Sequence, residues 1–156
     1  MMSDIEERTF VAVKPDGVQR GLVGEVIRRI ENRGLKLIAL KFIQLPLEVA
    51  LAHYCEHEGK PFFDDLVKYI TSGPIVTMAW QGKNAVLIAR NVIGATNPVN
   101  ANMGSIRGDF AAEIGRNIVH GADSVENAKR EISLHFKESE LVTTWHHSGE
   151  QWIFGT

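Results

Sequence analysis

Apolar residues fall at both parities in Arg8-Thr9-Phe10-Val11-Ala12-Val13-Lys14, which predicts a strand covered on both faces. Pro15 keeps Lys14 extended and Asp16-Gly17 predicts a turn, so the Lys14 ammonium is placed at the carboxyl end of a central strand. Leu22, Val23, Val26, Ile27 and Ile30 follow helical spacing, and Gly34 ends that helix. Leu35 to Leu45 is apolar-rich and partly alternating, the pattern of a second strand. Pro46 opens a helix in which Val49, Leu51, Ala52 and Tyr54 pack. A further helical piece runs from Phe62 to Ile70, between Pro61 and Ser72-Gly73-Pro74.

Ile75 to Trp80 predicts the third strand, Gln81-Gly82-Lys83-Asn84 a turn, and Ala85 to Ile93 a short helix. From Gly94 to Asp109 neither period is present. A long irregular loop of this kind inside a compact chain is usually functional or disordered. Asn117 to His120 predicts a short buried fourth strand that delivers a histidine to the Gly121 turn. A helix then starts at Asp123 or Ser124: Asp123 is a natural N-cap, and Glu126 supplies the capping-box partner. Val125 to Phe136 is the last long helix. The tail, Lys137 to Thr156, holds Trp145, Trp152, Ile153 and Phe154, which predicts packing on its own body or on a neighbouring subunit. The order β-α-β-α-α-β-α-loop-β-α defines an α+β class. It fits a ferredoxin-like split βαβ antiparallel sheet with added helices and a long irregular loop.

Composition narrows the function more than the fold. A length of 156 residues without repeats or linkers predicts one domain, residues 1–156. Hydrophobic content of 44% and charged content of 23% are those of an ordinary globular chain. Net charge is −2 and no Lys/Arg run forms a patch, so nothing requires nucleic acid. No apolar run nears the roughly 20 residues of a membrane span, and the acidic start lacks the apolar segment of a secretory signal. One cysteine, Cys55, excludes an internal disulfide. A reducing, cytoplasmic location is the expectation.

His53-Tyr54-Cys55-Glu56-His57 fits the H-x-x-E-H pattern of inverted zinc proteases, but no third ligand follows downstream, and the pattern is short enough to arise by chance. His146-His147 lies in a polar tail and reads as solvated. The chain lacks the Walker-type phosphate loop, G-x-G-x-x-G, and the H-R-D and D-F-G sets of protein kinases. Phosphate has another route. Lys14, Arg90 and Arg107 lie at or near element ends, Thr96 and Arg107 in the irregular segment, and Gly104 and Gly108 there allow backbone amides to approach an anion. If these cations converge, they suit a nucleotide's phosphates, and a histidine among them can accept a phosphoryl group. Taken alone, a strand-end histidine such as His120 is more often structural.

Asn117-Ile118-Val119-His120-Gly121-Ala122-Asp123-Ser124 resembles the active-site signature of nucleoside diphosphate kinases. The stretch from Thr9 to Glu25, Pro61-Phe62-Phe63, Ser72-Gly73-Pro74, Gly94-Ala95-Thr96-Asn97-Pro98 and Ile106-Arg107-Gly108-Asp109-Phe110 resemble that family too, in the same order. The resemblance implies a ping-pong exchange: a nucleoside triphosphate gives its γ-phosphate to His120, and a nucleoside diphosphate removes it. It implies that Lys14, Tyr54, Arg90, Thr96, Arg107 and Asn117 contact phosphates or ribose. Phe62 is expected to stack on the base, with Leu66 and Ile114 closing the slot. Stacking without base-edge readout would tolerate any base. Glu131 would hold the far ring nitrogen of His120, fixing the tautomer. Mg2+ would arrive on the nucleotide's phosphates, with Asp123 meeting its water shell. A homo-oligomer, a hexamer, is expected from the long tail and Asn97-Pro98.

Two features sit awkwardly with this. Asn117 and His120 have opposite parity on a regular strand, so either the strand breaks near Ile118-Val119 or Asn117 reaches in from its edge. The family pattern after the histidine is usually Gly-Ser-Asp-Ser, and here Ala122 stands in the first serine's place. The lost hydroxyl implies an active, slower enzyme. The competing reading is a catalytically weak homologue that binds nucleotides or proteins. An RNA-binding domain of this fold would need an RNP-like aromatic pair, which Phe10 alone does not supply.

Overall fold

The computed structural model describes residues 4–155. Four strands, β1 (Arg8–Val13), β2 (Lys36–Ile43), β3 (Ile75–Gln81) and β4 (Val119–Gly121), form one sheet in the order β2-β3-β1-β4. Every neighbouring pair is antiparallel. This is the split βαβ plan, and β1 lies inside the sheet with a partner on each side. The two-parity apolar pattern of Phe10 to Val13 has that cause. Val11 and Val13 face a core with Met78 and Trp80, covered by α2 (Val23–Asn32) and α5 (Ala85–Ile93). Phe10 and Ala12 face the opposite core, with Ala79, Ala122 and the Ala128, Ile132 and Phe136 side of the chain around α7 (Val125–His135).

A third apolar cluster, Leu45, Ala50, Val67, Ile70 and Ile75, ties α3 (Leu47–His53) and α4 (Phe63–Ile70) to the end of the sheet. The tail packs on its own body in part. Trp145 Nε1 donates to the Leu37 carbonyl at 3.0 Å, while Ile153 covers Gly34 and Phe154 lies against Gly82. Trp152, in α8 (Glu150–Phe154), stays 85% exposed.

Several boundaries differ from the sequence reading. Asp16-Gly17 is not a simple turn. Pro15 starts a short helix, α1 (Pro15–Gln19), with Lys14 at its N-cap, because Pro fits the first helical position. The segment from Gly94 to Asp109 is not irregular throughout. It holds a 3-10 turn at Pro98–Asn100 and a helix, α6 (Ile106–Phe110), capped by Ser105, whose hydroxyl accepts from the Gly108 amide. Both are too short to show a period in sequence. Gly104 and Gly108 are not free to meet an anion either. Gly104 N–H donates to Asp109 at 2.8 Å and Gly108 N–H to Ser105 at 3.1 Å, and a Cβ on Gly108 would collide with the Asn102 carbonyl. Ser124, not Asp123, is the N-cap of α7: its hydroxyl accepts from Asn127 N–H at 3.0 Å.

Candidate active site

His120 takes its orientation from strand pairing. It sits opposite Ala12, so both side chains leave the sheet on the same face, the one covered by α7. Glu131 projects from the second turn of α7 onto that face. Its Oε1 and Oε2 lie 2.8 Å and 3.1 Å from His120 Nε2. The carboxylate is 4% exposed, while the imidazole keeps 26% of its side chain open. With Nε2 engaged on the carboxylate, Nδ1 is the nitrogen left to react.

Ile118 has φ 75°, and Val119 N–H bonds back to the Asn117 carbonyl at 2.8 Å. The two together make a γ-turn of the rare, strained kind, at a β-branched residue for which positive φ is an outlier. Strain of this type costs about 1–3 kcal/mol and persists only where the surroundings impose it. Here Lys14 N–H donates to the Ile118 carbonyl at 2.8 Å, Asp16 Oδ2 accepts from Ile118 N–H at 2.9 Å, and the Ile118 side chain is fully buried. Gly17 makes room, since a Cβ there would meet the Ile118 carbonyl at 2.8 Å. Tyr69 donates its hydroxyl proton to the other oxygen of Asp16. The strand therefore breaks at Ile118, and the parity conflict between Asn117 and His120 disappears.

The cations gather around this break. Asn117 Oδ1 accepts from Lys14 Nζ at 2.7 Å, and its Nδ2 donates to the Thr96 carbonyl at 2.9 Å. Arg107 is buried and donates to three carbonyls: Asn117 at 3.2 Å, Val119 at 2.6 Å and Gly94 at 3.1 Å. Arg90 donates to the Gly121 carbonyl at 3.1 Å. One guanidinium thus holds the residue before His120 and the other the residue after it. Burial and then Arg107 pull Lys14 down to about 8. Burial, with Arg90 second, pulls Arg107 down to about 10. His120 falls to about 3 through burial and then Lys14, Arg107 and Arg90. Burial pushes Glu131 up to about 7. The imidazole is neutral at physiological pH, as a nucleophile must be.

The remaining expected residues sit on other elements. Tyr54 caps the end of α3, stands edge-on to His53 at 4.9 Å, and is pushed up to about 12 by burial. Phe62 is the N-cap residue of α4 and 47% exposed, with half-buried Leu66 one turn on. Exposed Ile114 belongs to the segment leading to Arg116, whose guanidinium lies 4.2 Å from the Tyr69 ring centre on α4. Asp123 is exposed at the start of α7 and accepts from Asn127 Nδ2 at 2.6 Å.

Sequence reasoning missed three participants: Asp16, His53 and His135. His53 Nδ1 lies 3.0 Å from His135 Nε2, and His53 Nε2 lies 3.9 Å from Glu131 Oε1. The signal for His135 was present, because it follows Glu131 by four residues on one helix and so shares its face. His53 was weighed only as a metal ligand with His57. That pairing fails, because α3 ends at His53 and the chain turns into a 3-10 segment at Cys55–His57. Among the described residues, His53, His120 and Glu131 do bring ligand atoms within 4.8 Å of one another. A metal there would displace the proton shared by His120 and Glu131. The Lys14, Arg90 and Arg107 side suits phosphate oxygens instead.

Residues 7–141 match the family model described as nucleoside diphosphate kinase. A nucleoside diphosphate kinase of a Synechococcus species is 58% identical over 148 residues, 95% of this chain and 99% of the relative. One from Archaeoglobus fulgidus is 57% identical, covering 95% and 97%. Among solved structures, a nucleoside diphosphate kinase family protein from Babesia bovis superposes with TM-score 0.92 at 51% identity, over 95% of this chain and 99% of that one. A halophilic nucleoside diphosphate kinase from Halobacterium salinarum, solved in complex with CDP, gives TM-score 0.92 at 47% identity, over 96% and 99%.

Proposed function

The chain belongs to the nucleoside diphosphate kinase family, and we propose that it moves a γ-phosphate between nucleotides through Nδ1 of His120. The observation that carries this reading is the engagement of Nε2 by Glu131 at 2.8 Å, on a ring whose flanking carbonyls are held by Arg90 and Arg107. In the first half-reaction the Nδ1 lone pair forms a bond to the γ-phosphorus. The bond to the β–γ bridging oxygen breaks and the nucleoside diphosphate leaves with that electron pair. No proton moves. The ring gains positive charge as the bond forms, and the Glu131 carboxylate stabilises it through Nε2–H. The second half-reaction is the reverse, with a terminal oxygen of another diphosphate attacking phosphohistidine. Positioning and charge stabilisation dominate such a transfer.

Lys14, Arg90 and Arg107 neutralise the phosphates, while Thr96, Asn117 and Tyr54 line the phosphate and ribose side. Phe62 stacks on the base, with Leu66 and Ile114 closing the slot. Mg2+ bound on the nucleotide's phosphates would shield their charge, and Asp123, the carboxylate beside Arg90 and His120, would meet its water. Residues 1–156 act as one domain. The assembly is a cytoplasmic homohexamer in this reading, supported by the exposed apolar side chains of Val99, Met103 and Trp152. No helix among the described residues is long and apolar enough to cross a membrane.

Incubation with γ-labelled ATP tests the carrier. One acid-labile, base-stable phosphate per subunit is expected, discharged by any nucleoside diphosphate and missing in His120→Ala. Label retained by that variant, or stable to acid, would overturn the assignment. Light scattering at a monomer mass would do the same for the hexamer.

A further inference from the structure

Behind Glu131 lie two imidazoles that phosphoryl transfer itself does not use. We propose that His53 and His135 form a relay that positions the Glu131 carboxylate and thereby fixes the reactive tautomer of His120. The proposal rests on the phosphohistidine reading above and adds two positioning residues to it.

Glu131 is buried, and the Nε2 atoms of His120 and His53 lie 2.8 Å and 3.9 Å from its Oε1. Ala122, fully buried in the apolar cluster with Ala128 and Ile132, has no hydroxyl to offer. A buried carboxylate short of donors takes up a proton more readily, and that proton would come to lie between Glu131 and His120 Nε2. The imidazole would then carry its own proton on Nδ1 and lose its nucleophilic lone pair. Any N–H dipole directed at Glu131 opposes this.

His53 can supply one in only one of its neutral tautomers. The 3.0 Å approach of His53 Nδ1 to His135 Nε2 requires one nitrogen to donate and the other to accept. If His53 donates, its bare Nε2 lone pair faces the carboxylate, lone pair against lone pair. If His135 donates, His53 carries its proton on Nε2, toward Glu131. Electrostatics selects the second arrangement. It gives a directional chain in which His135 Nε2–H points to His53 Nδ1, and His53 Nε2–H points to Glu131. His120 Nε2–H meets the same carboxylate from the other side.

The scaffold holds this geometry. Phe10 stacks on His135 at 4.5 Å and flanks the rings of His53 and His120 at 5.9 Å and 6.0 Å. Arg130 donates to the carbonyls of Ala52 and His53 at 3.2 Å and 3.3 Å, clamping the end of α3 onto α7. The charged and titratable groups that face the pair are Glu131 and Arg130 from α7, Lys41 from β2, His120 from β4 and Tyr54 at the end of α3. Burial is the leading influence on both rings, holding His53 near 3 and His135 near 4, so each is neutral and has a tautomer to choose.

Nitrogen-15 NMR of the intact protein decides the tautomers directly. The relay requires His53 protonated on Nε2 and His135 protonated on Nε2, and the opposite assignment at either ring overturns it. His135→Phe keeps the stack on Phe10 but removes the donor. The rate of phosphohistidine formation is expected to fall about fivefold to tenfold, the effect of losing one buried hydrogen bond, with KM for nucleotides unchanged. His135→Gln, which retains an N–H donor, should recover most of that loss. Adding Ala122→Ser to His135→Phe should gain more than it does in the unaltered chain. An unchanged phosphorylation rate in His135→Phe, or a rate gain from Ala122→Ser of the same size in both backgrounds, overturns the relay. A protein that never phosphorylates His120 would defeat the functional reading alone, since the tautomers are read without turnover.

Discussion

The two flanks of His120 are built on opposite principles. On one side, permanent charges are fixed by the backbone: Arg107 is tied to three carbonyls, Arg90 to a fourth, and Lys14 to Asn117. On the other side, buried Glu131 and His53 and half-buried His135 are groups whose charge depends on their surroundings. The cationic flank answers to phosphate, which arrives with several negative charges and needs fixed partners. The imidazole flank answers to a proton, whose location decides whether Nδ1 has a lone pair. Substitutions on the first flank should therefore change nucleotide affinity and fold stability. Those on the second should change the chemical step and its pH dependence.

Arg107→Met should break the cationic flank most severely. It removes a charge from the phosphate site and leaves the carbonyls of Gly94, Asn117 and Val119 without their donor. Loss of one preorganised electrostatic group costs about 10²–10³ in turnover, and steady-state assays should show KM rising with it. Each buried carbonyl left short costs roughly 1–3 kcal/mol before relaxation. The Ile118 turn shares these anchors, so calorimetry should register a fall in Tm of several degrees. A variant with full stability would mean the three bonds are not what holds the turn.

Glu131→Gln tests the other flank with a smaller expected effect. The amide oxygen can still accept from His120 Nε2, but it no longer offers a full negative charge to the ring. Loss of such an orienting partner costs about 10–100-fold, expected in kcat with KM unchanged, unlike Arg107→Met, which raises KM as well. Equal changes in kcat and KM at both positions would dissolve the distinction between the flanks.

pH sharpens the comparison further. Adding one proton to the His120–Glu131 pair removes the Nδ1 lone pair whichever group takes it, so activity is present above the upper pKa of the pair and lost as pH falls through it. Burial sets that value at about 7 on Glu131. Lys14, lowered to about 8, is charged below that value and loses its charge above it. A plot of kcat/KM for the free enzyme should rise through about 7 and fall beyond about 8. Glu131→Gln should move the acid limb alone, from about 7 down toward the value of about 3 at His120.

These flanks were unequally legible in the sequence. The sheet was readable because Phe10 to Val13 shows apolar residues at both parities, and α2 because its period is regular. The cations were legible only as candidates. What brings them together is a left-handed Ile118 and its pairing with Lys14 and Asp16, a through-space event with no local signature. Resemblance to the family, rather than periodicity, supplied Glu131. His53 and His135 escaped because they lie 82 positions apart and meet only across the α3–α7 packing.

Ala122→Ser is the mildest perturbation and the most discriminating. The side chain points into a closed cluster with Phe10, Ala12, Ala128 and Ile132, so a hydroxyl there must find a partner or pay a desolvation cost. If it reaches Glu131, the carboxylate gains a donor that favours its ionised form. The acid limb should then move to lower pH and the rate rise by at most about tenfold. If it stays unpartnered, stability falls by about 1–3 kcal/mol and the pH profile stays in place. The two outcomes separate cleanly in a pH series and a melting curve on one variant. The first would place the imidazole flank as a partial replacement for the hydroxyl, and the second would make it the complete support of Glu131.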